Sequence, residues 1–382
     1  MTTGRDRIRA ALDHRETEVL PYDLGGTRVT GIHVRAYARL RDALGLEHRE
    51  PKIADLTQQL AEVEPDVLDA LGADVRNVAP RGASTYRREY HEDGEHRWYI
   101  DEWGVGRRIP LNDGLYYDSF APPLAGEPDD ATIDRFAWPD PADPGRYEGV
   151  ADEARRYAAE GRAVHAGSIC GGLTEGLFKM RGFEDGYMDL AAEPARARRV
   201  MGKILEIKLG YWERMLPLLG DSVDIVGEAD DLGGQARPLF SPATYRELVK
   251  PLHRELFDFL HARTSAKVFF HTCGAVRELI PDLIEIGVDI LNPVQVSATG
   301  METGALKRDF GRDIVFWGGG VDTQKVLSRG TPDEVRAEVR RRIADLAPGG
   351  GFVFATVHNI QPDVPAENIL AMHAELREAV HA

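Results

Sequence analysis

The chain has 382 residues, 43% of them hydrophobic and 29% charged, with a formal net charge of −16. That is enough apolar material for a large core, but no run of about 18 apolar residues offers a membrane span and no basic patch offers a nucleic-acid footprint. Two cysteines, Cys170 and Cys273, exclude a disulfide framework; with an N-terminus, MTTGRDRIRAALDHRETE, that lacks an apolar stretch, a cytoplasmic protein is expected.

Short apolar runs predict strands at 19–24 (VLPYDL), 74–79 (DVRNVA), 163–168 (AVHAGS), 224–229 (DIVGEA), 267–271 (KVFFH), 289–293 (DILNP), 314–318 (IVFWG) and 352–356 (FVFAT). Most are β-branched or aromatic and continuously apolar, the pattern of strands covered on both faces. Between 79 and 163 the spacing is too long for one crossover. YRREYHEDGEHRWYIDEWGVGRRI (86–109) alternates and holds Asp93-Gly94, which predicts a β-hairpin. The Pro- and Asp-rich stretch 122–146 reads as a surface excursion. In the second half, SPATYRELVKPLHRELFDFLHAR predicts a helix with Ser241 as N-cap and Pro242 in the first turn. TPDEVRAEVRRRIADLAPGGG starts on Thr331-Pro332 and stops at glycines, and PAENILAMHAELREAV closes the chain.

Eight strands alternating with helices predict one (β/α)8 TIM barrel domain over 1–382, with 86–146 as the inserted hairpin and loop excursion. An open doubly wound sheet would need a G-x-G-x-x-G turn after its first strand, and none is present; the Gly triplets at 318–320 and 349–351 read as tight turns.

Barrel enzymes gather reactive groups at the C-terminal ends of their strands. Here those ends carry Asp23, Thr27 and Arg28; His165, Ser168 and Cys170; Glu228, Asp230 and Asp231, with Gln235 beyond; His271 and Cys273; Asn292 and Gln295; and His358. On an extended strand His271 and Cys273 point the same way. Thiolate sulfur and imidazole nitrogen together suit zinc, and His358 as a third ligand would leave one position open, the arrangement of a catalytic site. Gln295 or Glu228 could occupy or guard that position. The plain alternative is a small buried thiol beside a hydrogen-bonded histidine. Three carboxylates within four residues, Glu228, Asp230 and Asp231, repel one another unless they bind something, so they are read as catalytic or ligand-contacting, with solvation of a helix start as the alternative. Trp103 and Trp317 read as packing residues, either able to wall a pocket.

The segments DIVGEADDLGGQARPLFSPATYRELVKP, KVFFHTCGAVRELIPDLIEIGVDILNPVQ, FWGGGVDTQKVL and HNIQPDVPAENILAM, in that order and spacing, resemble the uroporphyrinogen decarboxylase superfamily, and the likeness extends over nearly the whole chain. The resemblance implies a (β/α)8 barrel with its site at the C-terminal mouth. True uroporphyrinogen decarboxylases carry an arginine-rich R-Q-A-G-R-type motif that grips substrate carboxylates; here the corresponding stretch is DLGGTRVTG, with Arg28 alone. The zinc- and corrinoid-dependent methyltransferases of the superfamily are marked by H-x-C and a later cysteine. His271 and Cys273 match the first part, and His358 stands near the place of the absent cysteine. In cobalamin-independent methionine synthase, a relative in fold, a Glu ligand follows the H-x-C, about where Gln295 falls.

The resemblance thus implies a zinc methyltransferase moving a methyl group between a small substrate or thiol and a corrinoid. No D-x-H-x-x-G signature is present, so the cobalamin would arrive on a partner protein. Asp23, Asp230 and Asp231 would orient substrate, and Gln235 would donate a hydrogen bond. The alternatives are a metal-free decarboxylase and a non-catalytic corrinoid- or tetrapyrrole-binding protein. A homodimer is expected from the fold group alone.

Overall fold

The structure, a computed structural model, describes residues 2–379. Seven parallel strands form one curled sheet: β1 (Val75–Val78), β2 (Ala163–Gly167), β3 (Ile225–Ala229), β4 (Lys267–His271), β5 (Ile290–Asn292), β6 (Val315–Trp317) and β7 (Phe352–Val353). They lie side by side in chain order. The expected first strand, 19–24, is reduced to a single parallel bridge, Tyr22 to Phe354. That segment nevertheless closes the barrel: Asp23 N–H donates to Phe354 O (2.9 Å) on one side, and Asp74 N–H donates to Tyr22 O (2.8 Å) on the other. Pro21 has no N–H to give a ladder and Gly25–Gly26 follow at once, which keeps the eighth strand short.

Every strand sends at least one side chain into the barrel bore: Val75, Ala163, Ile225, Phe269, Ile290, Val315 with Trp317, and Val353. The N-terminal helix Gly4–Leu12 plugs the bottom with Ile8, Ala11 and Leu12, and Arg5 and Arg9 both pair with Asp224 at the start of β3. A larger apolar layer packs the outer faces of the strands against the surrounding helices, with Trp212 and Tyr211 of the long helix Pro194–Leu219 among its buried members. No helix among the described residues is long and apolar enough to cross a membrane.

Predicted helix ends hold where caps are present. Ser241 accepts from Thr244 N–H, and Thr331 and Glu334 form a reciprocal capping box. The predicted helix 241–263 is not uniform: Tyr245–Val249 winds as a wider π turn before the α-helix Lys250–His261. Pro251 offers no N–H to a regular ladder there. The last predicted helix runs Ala366–Glu378, and Val380 of that prediction lies outside the described residues. The Gly triplets do turn tightly, with φ of +88° at Gly318 and +76° at Gly349.

The insertion holds the expected hairpin, His91–Glu92 pairing antiparallel with His96–Ile100 across Asp93-Gly94, but goes beyond it: Gly106–Pro110 and Asp118–Ala121 extend the pair to a four-stranded antiparallel sheet. Nor is 122–146 a free excursion: Leu124 and Ile133 are buried in the main core, and Arg146 is buried against Glu102.

Candidate metal centre at the barrel mouth

β4 ends on His271, whose ring turns into the mouth because Phe270 beside it faces the outer core. Its Nδ1 lies 2.6 Å from Asn292 Oδ1 at the end of β5, and Asn292 Nδ2 donates to Trp317 O at 2.9 Å. With Nδ1–H donating, Nε2 keeps its lone pair toward the mouth. Cys273 Sγ is 3.4 Å from that Nε2. The loop carrying Cys273 is held by two backbone bonds: Cys273 N–H to Asp231 Oδ1 (2.8 Å) and Gly274 N–H to Gln295 Oε1 (2.7 Å). Gly274 itself has φ +90° and sits against the Gly233 backbone, where a Cβ would come within 2.3 Å.

His358, in the loop after β7, places its ring 5.5 Å from that of His271, edge to face. One ligand atom from each of His271, Cys273 and His358 lies within 4.8 Å of the others. Three donors at tetrahedral zinc, with bonds of about 2.0–2.3 Å, sit roughly 3.3–3.8 Å apart. The sulfur–nitrogen pair is already at that spacing and the His358 donor stands within 4.8 Å of both, so the donor set fits zinc. Burial holds His358 neutral, its pKa lowered to about 3, with His271 adding to the shift. Burial pushes the Cys273 thiol well above its usual range, and the Asp231 carboxylate pushes the same way.

Of the trio, His271 and His358 line a cavity of about 390 Å³, and Cys273 stands beside them without lining it. Thr27, Arg28, Asp231 and Glu228 line it, as expected, and Asp231 stands 3.7 Å from His271 Nε2. Other expected contacts are corrected. Asp230 is fully buried away from the cavity: it accepts from Thr174 N–H and Oγ1–H and Glu175 N–H at the start of helix Leu173–Arg181, and lies 3.1 Å from His253 Nε2. Burial works against its charge, but His253 and the Thr174 donors hold its pKa below the ordinary value. It is an anchor for that helix rather than a catalytic group.

Glu228 reaches the cavity wall but has no free oxygen. Oε2 pairs with the buried Lys208 Nζ at 2.5 Å, and Oε1 accepts from Trp212 Nε1 (2.6 Å) and Ser168 Oγ (2.9 Å). It is spoken for as a base or a metal ligand. Asp23 does not line the cavity; it accepts from Gly26 N–H and Trp317 Nε1, and burial raises its pKa to about 6. Gln295 and Asn292 hold the Cys273 loop and the His271 ring and do not line the cavity, and Gln235 is exposed outside it.

Several lining residues carried no local signal. Arg107 arrives from the inserted sheet, Glu175 and Lys179 from helix Leu173–Arg181, and Asp55, Thr57 and Gln58 from the end of the short strand Ile53–Asp55 and the turn after it, ahead of β1. Lys179 pairs with Glu175 at 3.5 Å and Arg107 with Asp101 at 2.8 Å, whereas Arg28 makes no ion pair among the described residues.

The family model described as uroporphyrinogen decarboxylase (URO-D) matches residues 115–379. Two curated relatives are uroporphyrinogen decarboxylases. The one from Alkalilimnicola ehrlichii is 26% identical over 71% of this chain and 71% of its own length, and the one from Thioalkalivibrio sulfidiphilus 25% identical over 70% and 74%. Among solved structures, a methyltransferase from Methanosarcina mazei superposes with a TM-score of 0.64 at 18% identity, covering 99% of each chain, a likeness of fold. A match that takes in every barrel strand from β2 onward and both segments that carry His271, Cys273 and His358 makes this chain a member of the uroporphyrinogen decarboxylase (URO-D) family.

Proposed function

We propose that the chain is a zinc-dependent methyltransferase, moving a methyl group between a small substrate or thiol and a corrinoid carried by a partner protein. The observation that supports this reading most strongly is the convergence of Cys273, His271 and His358 within 4.8 Å, with both histidines lining the cavity. Those three side chains would hold the ion, which when bound supplies Lewis acidity that lowers the pKa of a coordinated thiol. The chain's own groups do the rest. Asn292 holds His271 in the tautomer whose Nε2 can ligate, and Asp231 and Gln295 fix the loop that presents Cys273. Arg28 and Thr27 on one wall, and Lys179 and Glu175 on the other, contact the substrate and fix its orientation. The solved methyltransferase from Methanosarcina mazei, alike in fold, is in keeping with this chemistry.

A second reading, decarboxylation of an acidic substrate without metal, draws on the names of the curated relatives. Against it, two of the three cations at the mouth, Arg107 and Lys179, already face acids. A multiply charged substrate needs free guanidinium groups for paired bonds. Metal analysis of protein purified without chelator, alongside its Cys273→Ala variant, separates the two. Near-stoichiometric zinc that is lost in the variant supports the methyltransferase. Protein free of metal that releases carbon dioxide from uroporphyrinogen reverses the order.

A further inference from the structure

Beside the mouth cavity lies a second, smaller one of about 140 Å³. Its walls are Trp103, Val105, Ile169, Met180 and Ile204, and it shares Arg107, Cys170, Gly171 and Lys179 with the mouth cavity. The two spaces therefore adjoin, with an apolar chamber on one side, the metal trio's chamber on the other, and two cations at the junction. Protein interiors hold few voids larger than a water molecule. An apolar cavity of about 150 Å³ takes up benzene, so the side chamber is of ring size.

The chain keeps this space open at some cost. Gly176 lies inside helix Leu173–Arg181, where glycine is disfavoured relative to alanine. A Cβ there would come within 2.5 Å of Ile204 Cδ1 and push that side chain. Trp103 is held in place by its backbone N–H, which donates to Asp101 Oδ1, and by edge-to-face contact of its ring with Trp138. Arg107 is aimed from the inserted sheet by Asp101 and Ser119.

We propose that this side chamber is a substrate subsite for a compact apolar group, an aromatic ring or its equal in volume, whose polar arm passes Arg107 and Lys179 into the mouth cavity. The inference rests on the mouth cavity being the substrate site. It names the substrate class: an amphipathic ring compound rather than a short alkyl thiol or a tetrapyrrole. The ring meets Trp103 and the aliphatic walls; the junction, where Arg107 and Lys179 each already face one acid, leaves room for a single oxygen-bearing arm, and Arg28, without an ion pair among the described residues, is there to meet that arm in the mouth cavity.

The test uses benzoate as a ring with an anionic arm, and acetate as the arm alone. Cys170 borders both chambers, so its conversion by methyl methanethiosulfonate to the mixed methyl disulfide, with methanesulfinate leaving, followed by site-resolved mass spectrometry, reports occupancy without any turnover. The expected result is at least tenfold slower modification of Cys170 with saturating benzoate and no protection by acetate. In Gly176→Ala and in Ile204→Phe, each of which narrows the chamber, benzoate protection should vanish while the melting temperature holds or rises for Gly176→Ala. Equal protection by acetate, no protection by benzoate, or undiminished protection in both variants would overturn the proposal. Zinc measured on the same samples keeps the two readings apart. Zinc present without benzoate protection defeats the subsite alone, and protection in metal-free protein defeats the methyltransferase alone.

Discussion

Replacing Lys208 by methionine keeps the length of the side chain and removes its charge. In the folded protein Lys208 and Glu228 are both buried, with Nζ 2.5 Å from Oε2 and further bonds to Ser168 Oγ (3.0 Å) and Cys170 O (3.3 Å). Removing one partner of such a pair strands the other charge, and costs about 3–5 kcal/mol. Glu228→Gln strands Lys208 and should cost a similar amount. The double variant strands neither charge, and the amide oxygen can still accept from Trp212 and Ser168. It should lie within about 2 kcal/mol of the parent, far below the roughly 6–10 kcal/mol sum of the singles. Urea unfolding followed by tryptophan fluorescence measures all four proteins, and Trp212 sits on the pair itself. The deficit of Lys208→Met should also shrink from pH 8 to pH 5, because an unpaired buried carboxyl takes up a proton at a raised pKa and escapes its penalty. Single variants within 1 kcal/mol of the parent, or a double variant equal to the sum, would falsify the assignment of Glu228 to structure.

Other consequences can be measured separately. Asp230→Ala removes the anchor of helix Leu173–Arg181 and strands donors on Thr174 and His253; it should cost about 2–4 kcal/mol in urea unfolding yet leave zinc content unchanged, and a metal-free but fully stable variant would restore Asp230 to the site. Asn292→Ala frees the His271 ring and should weaken zinc about 10–100-fold in chelator competition; unchanged affinity would show that Asn292 does not orient the ligand. Asp23 should titrate near pH 6 in carboxyl carbon NMR. Its raised folded pKa means that stability falls as pH rises between 3.8 and about 6, by about 3 kcal/mol in all; a midpoint below 4 would show that burial does not govern it.

The barrel was legible because its strands are buried on both faces, so each leaves a short apolar run ending in polar residues, as in KVFFH before Thr272 and Cys273. The convergence of His271, Cys273 and His358 was legible for the same reason: two of them share one strand end, and the third lies beyond another. What remained hidden depended on partners distant in sequence. Glu228 and Asp230 look alike as strand-end acids, and only Lys208 from one helix and His253 from another separate a caged carboxylate from a helix anchor, leaving Asp231 at the cavity. Arg107 was concealed because its strand was read as half of a hairpin, and nothing local marks Asp118–Ala121 as a further strand pairing with it. Tyr22 is a strand residue by one bridge only, which a run of apolar letters cannot distinguish from a full strand.

X-ray absorption at the zinc edge, on protein purified without chelator, bears most directly on the proposed centre. The donors present here predict one sulfur at about 2.3 Å and two imidazole nitrogens at about 2.0–2.1 Å, with one further light atom completing the shell. A metal shell without sulfur, or no zinc above trace in folded protein, would contradict a centre built from His271, Cys273 and His358.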